Sequence, residues 1–235
     1  MSHQLLILLG SAAAIGAVHT LLGPDHYVPF ITLSKAREWS LVKTAWITIL
    51  CGLGHVAGSV ILGIIGIAAG ITLRNIEVLE AARGDIAAWM LTAFGLVYAT
   101  WGLVRAVRNK PHTHHHAHLD GTEHEHAHNH HGEHLHPHNE RRKSLTPWIL
   151  FTIFVFGPCE PLIPLLMYPA ATENVGGAIL VAGVFSVVTI GTMTTVVLLS
   201  RFGLGFVVAP RLARYGHALA GATIFLSGVA IHCGL

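Results

Sequence analysis

Two imidazoles and a carboxylate lie close together in an apolar stretch of the chain, and side chains of these types can bind a metal ion. His19, Asp25 and His26 lie inside the apolar run 5–33, which is long enough to cross a membrane, since about 20 apolar residues span the hydrocarbon core. An ionisable side chain at mid-depth costs at least ~2.5 kcal/mol, so by default it indicates a functional site. Imidazole nitrogen and carboxylate oxygen are both ligands of divalent transition metals.

Gly23 and Pro24 separate the two histidines. Pro24 has no N–H to donate and its ring clashes with the preceding turn, so we expect the helix to kink or open there. On an unbroken helix His19 and His26 would share a face but lie about 10 Å apart at ~1.5 Å per residue, whereas metal–ligand bonds are about 2.1 Å long. A break would bring the two rings together. Opened backbone at membrane depth is tolerated only where it is buried in protein or lines a wet cavity.

A second interrupted span has the same design. Gly157-Pro158-Cys159-Glu160 in the second half of the chain resembles Gly23-Pro24-Asp25-His26 in the first, and paired interrupted spans in matching positions indicate a transporter site near the midplane. A structural role remains open, with Asp25 capping a broken helix end or Cys159 serving as a small buried residue. Another apolar span supplies one more imidazole. The predicted ligands are therefore His19, Asp25, His26, His55, Cys159 and Glu160.

The composition is that of a membrane protein. Of the 235 residues, 52% are hydrophobic and only 11% are charged, whereas soluble domains contain about 25% charged residues. The small net charge of +2 gives no indication of nucleic-acid binding. We predict an all-α polytopic membrane protein in which six transmembrane helices form a 3+3 inverted repeat with helices 1 and 4 broken. The predicted spans are 5–33, 41–73, 86–107, 147–170, 176–202 and 212–234.

The basic residues predict the orientation in the membrane. All but two of the 14 Lys and Arg residues follow spans one, three and five, and Lys and Arg concentrate on the cytoplasmic side of a membrane. We expect a bacterial inner (plasma) membrane protein with both termini outside. The predicted organisation is a first three-helix repeat at 1–107, a cytoplasmic His-rich loop at 108–146 and a second repeat at 147–235.

The loop contains 13 of the 19 histidines. It has no hydrophobic pattern, so we expect it to be disordered, and His-rich tracts bind metals. An auxiliary role in metal buffering or sensing and an incidental low-complexity linker are both open. The histidines are His112, His114, His115, His116, His118, His124, His126, His128, His130, His131, His134, His136 and His138.

The segment 18–27, together with Gly52-Leu53-Gly54-His55, resembles the nickel/cobalt transporter families, above all the UreH-type urease accessory membrane proteins related to the NicO group. The resemblance implies a transporter, not an enzyme, whose substrate is a divalent ion: nickel or cobalt first, then zinc. It makes His19, Asp25 and His26 the metal signature and His55 a further contributor. No cofactor is expected. The expected partners are the metal ion, the lipid bilayer and a cytosolic metallochaperone, and not nucleic acid.

A second, more distant resemblance lies in the other half. The segment 156–164 is similar to the Pro-Cys-x-x-Pro segments of thiol-disulfide electron carriers of the CcdA/DsbD type, which are also six-span inverted repeats. Dithiol exchange requires two thiols that meet. The first half has Asp25-His26 at the matching position, so Cys51 or Cys233 would have to pair with Cys159. Electron transfer is therefore the alternative function, and a metal-sensing membrane protein without transport is a third.

Overall fold

The computed structural model describes residues 3–108, 112–117, 123–128, 145–172, 175–203 and 214–233. Its helices are α1 (His3–Leu22), α2 (Val28–Ala36), α3 (Leu41–Ala68), α4 (Leu73–Arg108), α5 (Thr146–Phe156), α6 (Leu162–Thr172), α7 (Val175–Gly203) and α8 (Gly216–His232), with a short 3-10 turn at Pro24–His26. Four of them, α1, α3, α4 and α7, are long and apolar enough to cross a membrane. The predicted all-helical, polytopic membrane fold is confirmed.

Both predicted helix breaks are present. The first span divides into α1 and α2 at 23–27, where the chain forms a single 3-10 turn with Tyr27 N–H donating to the Pro24 carbonyl at 3.3 Å. The fourth span divides into α5 and α6 at 157–161. Proline causes both, because it cannot donate the hydrogen bond that continues a helix and is well suited to a first helical turn.

The helix pairings follow the two-fold pattern of an inverted repeat. The broken first span packs through α1 on α7, and the broken fourth span packs through α5 and α6 on α3, which is the equivalent pairing in the other half. Likewise α2 packs on α8, while α5 and α6 pack on α4. Two further pairs, α4 with α8 and α3 with α7, join equivalent helices of the two halves.

The pair of α4 and α8 is the most intimate of these contacts. Gly95 and Gly102 on α4, and Gly221 and Gly228 on α8, each lie so close to the opposite helix that a Cβ atom would overlap its backbone. Small residues at such an interface let two helices approach closely, which is how helices associate in a lipid environment. Away from α8, the helix α4 packs on α5 and α6 of the second broken span and on α3.

One helix boundary differs from the prediction in a way that matters for function. The third span was predicted to begin at residue 86, with 74–85 as an external connection, but α4 already begins at Leu73 and is 36 residues long. The charged residues in this segment led the prediction to a loop. In the structure Glu80 and Arg83 form an ion pair, and Glu80 is fully buried. An ion pair packed in this way can remain inside a helical bundle, where single charges could not.

Two segments of the insert are described. They are β1 (His112–Ala117) and β2 (Glu123–His128), which pair as antiparallel strands, with His112 opposite His128 and His116 opposite His124. The predicted disorder of the loop as a whole stays a prediction. The rest of the insert, including His118, His130, His131, His134, His136 and His138, lies outside the described residues.

Candidate metal-binding site

Three imidazoles from three elements meet inside the helical bundle. His19 lies near the end of α1, His26 in the 3-10 turn and His55 in the middle of α3, and one ligating nitrogen of each lies within 4.8 Å of the others. The Nε2 atoms of His26 and His55 are 3.3 Å apart. The ring centres of His19 and His26 are 4.7 Å apart and those of His26 and His55 are 4.9 Å apart. The break after α1 therefore brings together the two histidines that a straight helix would have kept apart.

The backbone around His26 determines which of its nitrogens faces the cluster. Its Nδ1 lies 3.1 Å from the carbonyl oxygen of Gly23 and 3.2 Å from Oδ1 of Asp25. Both partners are acceptors, so Nδ1 carries the proton and donates, and in the neutral ring Nε2 is left with its lone pair. That lone pair points to His55 Nε2. A carboxylate that binds the far nitrogen of a metal-ligating histidine orients the ring and raises its basicity.

Asp25 therefore has a different place from the one predicted. Its side chain is 31% exposed and contacts the outer nitrogen of His26, so its carboxylate is not among the atoms that converge. Residue 23 must be glycine for Asp25 and His26 to contact each other in this way. A Cβ atom on Gly23 would come within 2.5 Å of His26 Nδ1 and 2.9 Å of Asp25 Oδ1. The Gly-Pro corner thus makes room for a carboxylate–imidazole pair.

His19 Nε2 differs from the other ring nitrogens that face the cluster because it has no hydrogen-bond partner. This atom is buried and is among the few buried side-chain polar atoms of the described residues that have no hydrogen-bond partner. A buried polar group without a partner is costly and calls for an explanation, such as an ion or ligand that completes it. Phe185 of α7 lies beside this ring, with centroids 6.5 Å apart, and Phe154 of α5 lies beside His55 at 6.2 Å. The cluster is thus flanked by aromatic side chains from two helices of the second half of the chain.

The structure does not bring the two predicted ligands of the second half into this cluster. Glu160 is exposed, and Cys159 is fully buried in an apolar group with Val56 and Leu162. The physical reason lies in the second break, which turns the backbone of Cys159 toward α4. Its N–H donates to Ser59 Oγ at 3.2 Å and to the Glu80 carboxylate at 3.1 Å. What the second half contributes to the cluster is the backbone of Gly157, where a Cβ atom would lie 2.9 Å from His55 Nδ1.

Sequence reasoning missed Glu80 and Arg83, which form a buried polar network next to the cluster. Glu80 is fully buried, forms an ion pair with Arg83 and accepts from Ser59 Oγ at 2.9 Å. Ser59 follows His55 by one helical turn on α3. The signal was present, because a Glu and an Arg three residues apart share one face of a helix, but it was assigned to a loop.

A small cavity of about 60 Å³ reaches the cluster from the side of α4. Asp25 and His55 line it together with Gly84, Ala88 and Pro158. Its volume exceeds the ~10–15 Å³ that a single water needs. A mostly apolar lining with a few polar side chains is typical of a small-ligand site.

Comparison with known proteins places the chain in a family. The model of the family described as the transmembrane region of cytochrome c biogenesis proteins matches residues 10–230, which is nearly the whole chain. No curated protein and no solved structure matches it. The match supports the resemblance to electron carriers of the CcdA/DsbD type, while the resemblance to nickel/cobalt transporters finds no support in these comparisons. The chain is a multi-pass membrane protein that belongs to the cytochrome c biogenesis transmembrane-region family.

Proposed function

We propose that this protein is a transporter that carries a divalent transition-metal ion through the cluster of His19, His26 and His55, with nickel or cobalt as the first candidates and zinc as the next. The observation that supports this most directly is the convergence of three ligating nitrogens within 4.8 Å inside a bundle of apolar helices. Histidines are the ligands that suit these metals. The family match does not itself favour metal transport, so the proposal depends on this geometry.

The spacing of the nitrogens supports an ion at the centre of the cluster. Two ligands held at about 2.1 Å from one tetrahedral ion are about 3.4 Å apart, and the Nε2 atoms of His26 and His55 are 3.3 Å apart. Their rings approach edge to face, at 88°. His19 Nε2 would be the third ligand, which would supply the partner that this buried atom lacks.

Proton movement accompanies binding in this mechanism. Without the ion, the neutral ring of His55 donates its Nε2–H to the lone pair of His26 Nε2. The ion takes both lone pairs, so the proton on His55 moves to Nδ1 or leaves the ring. Asp25 stays on the outer nitrogen of His26 and offsets part of the double positive charge. The cavity beside Asp25 and His55 provides the space through which the ion would reach the cluster.

Nickel counterflow into proteoliposomes tests this proposal. Because a His-rich loop is expected to bind metal by itself, all variants should carry its 13 histidines replaced by serine. We expect saturable uptake of labelled nickel, with a rate that changes between two pH values, and loss of this uptake in the His19/Asp25/His26→Ala variant. A His217→Ala variant, which removes an imidazole near the start of α8, is the matched control. Undiminished uptake in the triple variant would contradict the proposal.

The second candidate is thiol-disulfide electron transfer, which the family match over residues 10–230 favours. A relay needs two thiols that can form a disulfide, with Cα atoms about 4.4–6.8 Å apart. Cys51 and Cys159 are buried in different apolar clusters, and Cys233 is exposed at the end of α8. This arrangement gives the relay no thiol pair in the conformation observed.

Replacing all three cysteines separates the two functions. A Cys51/Cys159/Cys233→Ser variant should retain metal uptake if the histidines carry the function, and should lose reduction of a periplasmic dithiol acceptor if the relay does. The third alternative, metal sensing without transport, predicts metal binding in detergent but no counterflow. Orientation completes the proposal: both termini outside, the His-rich loop in the cytoplasm of a bacterial inner membrane, and a cytosolic metallochaperone as the partner that would meet the loop.

A further inference from the structure

A buried ion pair occupies the break in the fourth span. In a continuous helix the N–H of Cys159 would donate to the carbonyl of Val155, four residues earlier. Here the two groups are separated and each has a new partner. The Cys159 N–H donates to Glu80 at 3.1 Å, and the Val155 carbonyl accepts from Arg83 Nη2 at 2.9 Å. Glu80 thus replaces the acceptor of the missing helical bond, and Arg83 replaces its donor.

The same ion pair secures the residues next to the break. Arg83 Nη2 also lies 3.4 Å from the carbonyl of Gly157, which cannot be used by Pro161 four residues later because proline lacks an N–H. The backbone of Gly84 approaches Pro158 so closely that a Cβ atom would lie 2.8 Å from the proline ring. The first helical turns of α4 and the break in the fourth span therefore form one packed unit.

This unit contacts the histidine cluster directly through Gly157 and is joined through Ser59 to the helix that carries His55. Gly157 lies against the His55 ring, because a Cβ atom added to this glycine would lie only 2.9 Å from His55 Nδ1. Ser59, one turn after His55 on α3, donates to Glu80 at 2.9 Å. Two neighbours held by the ion pair therefore restrict the orientation of the His55 ring. One is the backbone of Gly157, and the other is α3, which Ser59 connects to Glu80.

We infer that Glu80 and Arg83 are positioning residues of the metal site, holding the helix break at Gly157 against His55 so that its Nε2 stays 3.3 Å from that of His26. The inference rests on the proposed metal-binding function. Neither charge contacts the converging nitrogens. Their effect passes through the backbone of the fourth span and through Ser59. Partners of this supporting kind typically change metal affinity about 10–100-fold when removed.

Cobalt binding tests the inference, because the visible absorption of Co(II) reports the geometry of its ligands. The full-length protein with serine in place of the loop histidines is titrated with Co(II) in detergent. We expect Glu80→Ala to raise the Co(II) dissociation constant about 10–100-fold and to shift the absorption bands. Glu80→Gln should have a smaller effect, since its amide oxygen can still accept from Cys159 N–H. The matched control is Tyr98→Phe, which removes a buried polar contact with Arg37 and His217 elsewhere on α4.

The outcomes separate the inference from the proposed function. Unchanged affinity and an unchanged spectrum in a folded Glu80→Ala protein overturn the inference alone. Absence of Co(II) binding in the parent protein overturns both. If Glu80→Ala does not fold, Ser59→Ala carries the test, because it deletes one hydroxyl that joins α3 to the ion pair. If Ser59→Ala shifts the Co(II) absorption bands while its thermal unfolding midpoint equals that of Tyr98→Phe, positioning is supported. If its Co(II) spectrum equals that of the parent protein, the inference is overturned.

Discussion

The two helix breaks of this protein look alike in sequence but serve different purposes. The first, at 23–27, forms its own 3-10 turn, and its His26 ring joins the histidine cluster while Asp25 contacts the outer nitrogen of that ring. The second, at 157–161, presents mainly backbone, and the charges that complete it come from α4. Under the proposed function, two equivalent positions of an inverted repeat thus differ in role: the first break supplies a ligand and the second supports the site.

The comparison is tested most strongly by removing one side chain from each break. His26→Ala deletes a converging nitrogen, so we expect Co(II) affinity to fall at least about 100-fold, since a lost ligand should cost at least as much as a lost supporting partner. Cys159→Ser should leave it within about twofold, because the thiol lies in an apolar group with Val56 and Leu162. Titration of both variants measures this. Equal losses would mean that both breaks supply ligands.

The next effect concerns the glycine at each corner. Gly23→Ala would place a methyl group 2.5 Å from His26 Nδ1, whereas Gly157→Ala would place one 2.9 Å from His55 Nδ1. Contacts below about 3.0 Å force a shift, so both should weaken Co(II) binding, with the larger loss at Gly23, where the pair Asp25–His26 must also separate. Thermal unfolding serves as the control for general destabilisation. A larger loss of Co(II) affinity in Gly157→Ala than in Gly23→Ala would mean that the second break, and not the first, lies nearer the metal.

A smaller effect is expected from Asp25. In Asp25→Asn the amide oxygen still accepts from His26 Nδ1, but the negative charge is lost, so we expect about a tenfold weaker Co(II) affinity, at the lower end of what such partners contribute. The absorption bands should stay at the parent wavelengths, because the ligand atoms are unchanged. A shifted spectrum would show that Asp25 is itself a ligand, as the sequence had predicted.

The smallest effect is expected at Glu160. Its side chain is exposed and lies outside the histidine cluster, so Glu160→Gln should change Co(II) affinity less than twofold. The parent protein measured at the same ionic strength is the control, since exposed charges act on a cation through a field that salt screens. A loss comparable to that of Asp25→Asn would restore Glu160 to the site and make the two breaks equivalent again.

Much of the fold could be predicted because it depends on local chemistry. The apolar spans follow from composition, and both breaks follow from proline, whose effect on a helix does not depend on its neighbours in space. The approach of His19 to His26 follows from the first break in the same way. The start of α4 was wrong because charged residues near the end of a span look like a loop until their partners are known. Those partners, Ser59 and the backbone of Cys159, lie 21 and 79 residues from Glu80.

By itself, the sequence determined a membrane protein with two proline-broken spans and a pair of histidines brought together by one of them. These features depend on side-chain type and on short-range backbone chemistry. The sequence also named His55 among six candidate ligands, but only the tertiary structure decided which of the six meet: His55 joins the pair, and Asp25 contacts the outer nitrogen of His26 instead. It also decided that Glu80 and Arg83 hold the second break. Each of these depends on which helices pack together, and in an inverted repeat that is set by contacts between residues far apart in the chain.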